Sequence, residues 1–545
     1  MDVNVEKTKA LKADPIYAAY KKWADDNGVI CPNLDYPVAF WDEGVIGTAA
    51  KNDIPPNKAY VFVPYSICIN LQRAKSSEIS HIFKKRFFTK HSRGNDHILW
   101  IFVLYEKLKG PESFWYPYFT TMSGFSNMID WTEEELAELQ DKLLVHDNMK
   151  WRDRISRIWK GIYGIIKNYP EYFPPDRNLY EEFMWSWKVC CTRGYAWEGG
   201  MLIPVADNTN HGEVYTSYES EEKSVLKVQA ENRTSEVDYT DFLDIKLEYE
   251  IEVDYRKNTN RLEKYLEKSE IPEIRNIWQL DRVLENYRSS SSEDDERNIA
   301  ECTSEEESAY DEEDNVPDDP PTQGEYYFFM STGVRTSFKK GEQVLNAYGR
   351  LNNRNLLLDY GFAIPNNRYD TVYFLLWLAR SGREGLVKIE DIKAKSEEYC
   401  NSTELYGLKP KRLNVDVFIY YREMMPIPVK NFPSDIQVEL EIIDKFLSIC
   451  IELHEDFVTN LEYDEELLKT DCSGRMKSAL YYRINQKKIV LSQIKMLETL
   501  RKELEKIQDG LDISTHTEGR SFEEIRDLYP LRDYLKSLEG YIKKS

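Results

Sequence analysis

One stretch constrains this chain more than any other: residues 341–362, GEQVLNAYGRLNNRNLLLDYGF. Gly341 follows two lysines and predicts a tight turn, and Val344 and Leu345 then start a short apolar strand. The pair Tyr348-Gly349 ends that strand, and a basic, amide-rich turn follows through Arg350, Asn352, Asn353, Arg354 and Asn355. Leu356, Leu357 and Leu358 form a buried step into a second pair, Tyr360-Gly361, followed by Phe362. Two phenols therefore sit beside backbone that glycine allows to bend closely around a ligand. The same pattern also suits two tyrosines that merely cap a strand end and a helix end.

Composition narrows the class. A chain of 545 residues with 41% hydrophobic and 13% aromatic side chains has length for two or three domains and apolar surface for a sizeable core. Its net charge of −23 opposes general binding to nucleic acid or anionic membrane, both of which need basic surface. The charge is concentrated: Glu293–Asp319 holds 14 acidic residues against Arg297 alone, and the rest of the chain carries only −10. The eight cysteines include no Cys-x-x-Cys pair, which fits reduced thiols in a reducing compartment and offers no zinc cluster. No signal-peptide pattern opens the chain, and the longest apolar runs fall far short of the roughly 20 residues that span a bilayer.

A second stretch changes the reading. Residues 201–211, MLIPVADNTNH, run from an apolar strand into Asp207, Asn210 and His211. Together with EGVIGTAA at 43–50, TRGY at 192–195, GEQVLNAYG and DYGF, in that order, this resembles the SET-domain methyltransferases. Within them it resembles the subfamily of the plant Rubisco large-subunit lysine methyltransferase and the actin-histidine methyltransferase. The resemblance implies an α+β chain: a SET fold of small β-sheets with a knotted segment and a helical insert, then an all-α C-terminal substrate-binding domain. Expected boundaries are a lead helix at 1–22 and SET core at 23–74, 186–212 and 325–365. A helical insert takes 75–185, an acidic, partly disordered insertion 213–324, and the helical domain 366–545.

The periodicities agree with that layout. Residues 16–30 predict an amphipathic helix stopped by Asn27-Gly28. HILWIFVLYEKLKG predicts a buried helix ended by Gly110, and Thr132 stands as N-cap to a helix opening with three glutamates. Residues 245–255 alternate as a strand would, 262–284 look helical around Pro272, and 289–324 are rich in Ser, Asp, Glu and Pro. Ser434 is an N-cap candidate for a helix to Phe457, and Ile494, Leu497, Leu500, Leu504 and Ile507 mark one face of another that Gly510 stops.

By resemblance the cofactor is S-adenosylmethionine, with no metal. Its contacts would come from Glu43, Gly44 and Val45, from Arg193, Asp207, Asn210 and His211, and from Tyr360 and Phe362. Tyr348 would be the catalytic phenol, and Tyr195, Tyr348 and Tyr360 would line the substrate channel. The lysine enzymes of the subfamily place an aromatic two residues after the TR arginine, where the histidine enzyme places asparagine. Tyr195 therefore points to protein-lysine N-methylation. Two alternatives stand beside it: a protein-histidine methyltransferase on the same scaffold, and a SET domain without catalysis that works as a binding protein. The expected partner is a protein substrate with a basic segment, such as a histone or ribosomal protein, for which the acidic tract would act as a lure. A monomer in the cytoplasm or nucleus, with no direct nucleic-acid or membrane contact, completes the expectation.

Overall fold

A computed structural model describes residues 3–41, 45–89, 93–122, 126–195, 200–222, 326–333, 336–377, 384–387, 403–410, 413–424, 436–470, 472–509 and 531. They fall into two compact units, one within Met1–Ser126, Asp153–Ile245 and Arg282–Gly349, the other within Asn127–Arg152, Lys246–Asp281 and Arg350–Ser545. The expected strand at 245–255, the helix at 262–284, the acidic tract, the Ser434 cap and the Gly510 stop lie outside the described residues.

The first unit opens with helices α1 (Val5–Ala13) and α2 (Pro15–Asp26). Asp14 starts α2 by accepting from the Ile16 amide at 2.9 Å, with Pro15 at the first helical position, where its missing N–H costs nothing. Asn27 caps the C-terminus and Gly28 follows at φ +87°, as the dipeptide predicts. Three small sheets come next. Strands β1 (Leu34–Phe40), β2 (Val45–Ala50), β10 (Gln343–Asn346) and β7 (Asn210–His211) form one sheet in that spatial order. In another, β9 (Tyr326–Thr332) lies between β3 (Ala59–Pro64) and β8 (Thr216–Glu222). The third joins β4 (Ile69–Asn70), β6 (Met201–Leu202) and β5 (Gly194–Tyr195).

Helices α3 (Gly94–Leu108) and α5 (Leu179–Arg193) pack against one another between β4 and β5 in the chain. All residues from His97 to Glu106 of α3 are buried, so its continuous apolar run is a core run. Within HILWIFVLYEKLKG the helix ends at Leu108, and Gly110 adopts φ +58°. The aromatic run FWYPYF splits: Trp115, Tyr118 and Phe119 are buried, whereas Phe114 and Tyr116 stay exposed.

Strand β8 refines the sequence reading. Residues 213–222 count there as the start of the insertion, yet β8 pairs with β9 along its whole length, from Thr216 opposite Thr332 to Glu222 opposite Tyr326. Thr, Ser and Glu at these positions conceal a strand from a search for apolar alternation. The excursion from 223 to 325 thus leaves and returns at one paired end of a hairpin.

The second unit is mainly helical, with α6 (Val415–Met424), α7 (Ile436–Glu455), α8 (Leu461–Leu467) and α9 (Gly474–Gln508), where α4 (Lys142–Ile166) bridges the two units in sequence. Leu497, Leu500, Leu504 and Ile507 of α9 enter its core with Ile442, Ile443 and Phe446 of α7, as their spacing predicts. Thr132 forms the expected N-cap as half of a capping box with Glu135. The unit is not purely helical: β11 (Val372–Trp377) and β12 (Thr403–Leu408) make an antiparallel pair. Buried Asp464 holds two cations at once, Arg483 at 2.8 Å and Lys487, so charge is matched where water is absent.

Replacing 223–325 with Asn-Gly should give a folded chain whose melting temperature stays within about 3 °C of the parent, because Glu222 and Tyr326 already face each other across a closable hairpin. Thermal unfolding by circular dichroism checks this; a chain that fails to fold would show that β8 and β9 depend on the insertion.

Candidate active site

The site grows from one sheet junction. Strand β10 pairs antiparallel with β2, Gln343 opposite Ala49 and Val344 opposite Thr48. On its other side it runs parallel to β7, Leu345 opposite Asn210 and Asn346 opposite His211. Thr48 Oγ1 donates to the Val344 carbonyl at 3.3 Å, and the Asn210 amide Nδ2 donates to Ile46 O at 3.1 Å. Asn210 lies so close over Gly47 that a Cβ there would come within 2.5 Å of Nδ2. Gly47 is thus required by contact, since its φ is ordinary.

Two residues beyond β10, Tyr348 is clasped at both ends. Its backbone N–H donates to His211 Nδ1 at 3.2 Å, and its hydroxyl donates to the Thr209 carbonyl at 3.0 Å. The first bond assigns a neutral His211 the tautomer with its proton on Nε2. Burial pushes the His211 pKa down to about 4, so the ring stays neutral at physiological pH. Burial also raises the Tyr348 phenol, which keeps its proton. Neither group is a ready base. Tyr348 can orient through its oxygen, and His211 builds the turn.

The Val205–Thr209 segment below Tyr348 is strained and heavily tied. Val205, a β-branched residue, sits at φ +72°. Tyr20 of α2 accepts from the Val205 amide at 2.8 Å and from Asn208 Nδ2 at 3.3 Å. Arg193, at the end of α5, donates to the Asp207 carbonyl at 3.1 Å and Asn208 Oδ1 at 3.3 Å, and lies 3.3 Å from Asp207 Oδ2. Tyr118 donates to that same Oδ2 at 2.5 Å. Burial pushes the Asp207 carboxyl up while Arg193 pulls it down. For Arg193 burial alone acts to lower its pKa, and Asp207 together with the phenols around it more than offsets that and holds the guanidinium charged. Sequence reading gives Arg193 a cofactor contact; these bonds show it fastening the 207–208 turn.

Tyr195 in β5 meets Tyr218 of β8 edge to face, with ring centroids 5.4 Å apart, and its hydroxyl lies 3.8 Å from Met330 Sδ. Their rings and Phe328 form an aromatic wall in the first unit. Val45, at the start of β2, is exposed, and Glu43 and Gly44 lie outside the described residues. Tyr360 and Phe362 belong to the second unit, where their rings lie 6.2 Å apart and Gly361 between them takes φ +79°. The first unit therefore gathers Tyr348, Arg193, Asp207, Asn210, His211 and Tyr195. Asn346 joins them from within the GEQVLNAYG stretch, and Tyr20, Tyr118, Thr216 and Tyr218 join them without any motif to announce them.

Two oxygens bear on what binds. Asp207 Oδ1 is buried with no hydrogen-bond partner among the described residues, and among those same residues Asn210 bonds through its Nδ2 and not its Oδ1. A buried carboxylate oxygen left unmatched is costly. Acceptors of this kind suit a ligand carrying a cationic amino group. Among the described residues no group of three or more His, Cys, Asp or Glu is arranged to hold a metal, and no helix is long and apolar enough to cross a membrane.

Comparison with known proteins agrees with this architecture. The chain is 28% identical over 224 residues to the actin-histidine N-methyltransferase of Callithrix jacchus, and 27% to that of Homo sapiens. Each match takes in 39% of this chain and 37% of the relative, so the chain spans little more than a third of these relatives' length. In fold it matches the SET domain of LSMT bound to lysine and AdoHcy, with TM-score 0.56 and 18% identity over 94% of this chain and 99% of that one. Rubisco LSMT bound to sinefungin and monomethyllysine matches equally, over 95% and 100%. No family model matches. The chain has the SET fold, and the resemblance carried by its motifs appears again in both comparisons.

Two outcomes follow from the geometry. Gly47→Ala should drive Asn210 off Ile46 and cost about 1–3 kcal/mol in urea unfolding, as overpacking does; an unchanged midpoint would show that Asn210 swings away freely. For His211, the unfolded imidazole takes up its proton near pH 6.5 whereas the folded ring does so only near pH 4. Between those values the unfolded chain binds more protons, so stability is lost as pH is lowered, by up to about 1.4 kcal/mol per unit. Unfolding at pH 7, 5.5 and 4.5 should show this loss reduced in His211→Gln; parallel profiles would contradict it.

Proposed function

We propose that this SET-fold chain is an S-adenosylmethionine-dependent protein N-methyltransferase acting on a lysine side chain. The observation that carries the reading is the clasped Tyr348 phenol beside Asn210 and His211, on a fold shared with the LSMT structures. Those structures hold AdoMet, AdoHcy, sinefungin, lysine and monomethyllysine. The unused oxygens of Asp207 and Asn210 fit the amino-acid end of such a cofactor, and the loop at 43–45 is the further contact we assign to it.

The cofactor supplies a sulfonium-activated methyl group, so the chain's task is alignment. Transfer to nitrogen is an in-line displacement in which the N–C bond forms as the C–S bond breaks. Near-attack alignment is worth about 7–11 kcal/mol in the best model systems. Tyr348 donates to Thr209 O, and the lone pairs of its phenol oxygen act as acceptors that orient the amine and the methyl C–H groups. Tyr195 and the aromatic wall take the apolar stem of a lysine and favour its neutral amine by desolvation. With Tyr348 and His211 both neutral, the proton of the ammonium leaves to water. The protein presenting the lysine docks on the helical second unit, and a basic segment is the substrate class that the acidic tract attracts.

Histidine as the target is the second reading. The sequence relatives named actin-histidine N-methyltransferase favour it, and Tyr195 in place of asparagine favours lysine.

Incubating the protein with methyl-labelled cofactor and native cell extract, then hydrolysing the labelled product in acid, should yield labelled methyl-lysines. Labelled methylhistidine would transfer the assignment to histidine, and no label with a folded, cofactor-binding protein would remove the enzyme reading. Tyr348→Phe should lower kcat by about 10²-fold or more, as the loss of a positioned group does, without abolishing cofactor binding.

A further inference from the structure

We propose that Tyr218 is a positioning residue for Tyr348. Its hydroxyl fixes the Asn346–Ala347 step from which the Tyr348 phenol is presented. The inference rests on the methyl-transfer reading only for its kinetic consequence, since the contact itself is geometric.

Alternation along β8 puts Thr216 and Tyr218 on the same face of the strand, and pairing opposite Thr332 and Met330 of β9 holds them in register. Thr216 Oγ1 lies 2.8 Å from Asn346 Oδ1 and accepts from the Ala347 amide at 3.3 Å. Tyr218 Oη lies 2.7 Å from the same Asn346 oxygen and 2.8 Å from the Ala347 carbonyl. Both backbone groups of Ala347, the residue immediately before Tyr348, are therefore bonded to side chains of β8. Asn346 is 1% exposed, and without the Tyr218 hydroxyl its side-chain oxygen still has Thr216 Oγ1 as donor, so the loss falls on the placing of Ala347. The ring of Tyr218 is itself gripped, edge to face by Tyr195 and at 5.9 Å from Phe328.

The consequence is a chain of constraint from β8 through Ala347 to the phenol. Tyr348 has its own bonds to His211 and Thr209, and these set its direction. The β8 bonds set the place of the backbone from which it starts. In a displacement that depends on a straight approach, a shift of about 1 Å in a positioned group costs about 10²-fold in rate. Removing the hydroxyl that bonds the Asn346–Ala347 step should therefore reach the rate.

The test is Tyr218→Phe, which keeps the ring packing and deletes only the hydroxyl. We expect kcat to fall about tenfold with the melting temperature and cofactor Kd near wild type. A merely structural role would instead move stability and affinity together. In the Tyr348→Phe background the same change should add no further loss, because its effect passes through that phenol. Wild-type kcat in Tyr218→Phe, or a full tenfold loss added to Tyr348→Phe, would overturn the proposal. A crystal structure of Tyr218→Phe decides the geometric part even if the protein transfers no methyl group. Displacement of Tyr348 from its 3.0 Å bond to Thr209 O supports positioning, and an unmoved phenol overturns it.

Discussion

The site depends on the parallel junction of β7 and β10. These are two short strands, far apart in sequence, whose partnership gives Tyr348 its bonds to Thr209 and His211. Neither strand is long enough to be stable alone. Each is tied instead by side chains: Asn210 to Ile46 on one flank, and Thr216 and Tyr218 to Asn346 and Ala347 on the other. The Tyr348 phenol is held by polar bonds at the meeting of two sheets, while the apolar core lies elsewhere in the unit.

That arrangement sets the electrostatics. The buried phenols at 20 and 118 and the half-buried ones at 195 and 348 all have raised pKa values, with loss of solvent the first cause in each, so they remain neutral hydrogen-bonding groups. The buried charges, Arg193 and Asp207, oppose one another across the strained turn at Val205. A pair of this kind resists separation, because removing one partner strands the other in a place water does not reach. The resulting surroundings disfavour charge on any group that lacks a partner. They hold the strained turn as a fixed platform for Thr209 O.

Much of this was legible in the sequence because it lies in short, conformationally demanding motifs. Gly341, Gly349 and Gly361 take positive φ where turns are expected, and Asn210, His211 and Tyr348 converge. The α9 face also follows from its apolar pattern. Tyr20, Tyr118 and Tyr218 were not legible. In α2 and in the run FWYPYF a tyrosine reads as packing, because its hydroxyl partner is up to nearly two hundred residues away. Tyr218 was hidden for a different reason: β8 carries polar residues with no apolar alternation, and only its pairing with β9 makes it a strand. Arg193 illustrates the limit of a motif, which marks an important residue without saying whether it holds ligand or protein.

The most direct test of the account is calorimetric titration of S-adenosylmethionine into the wild-type protein and into Asn210→Ala. The account predicts saturable binding by the wild type and at least a tenfold weaker affinity in the variant, with both proteins folded. A folded wild type that binds no S-adenosylmethionine would contradict it.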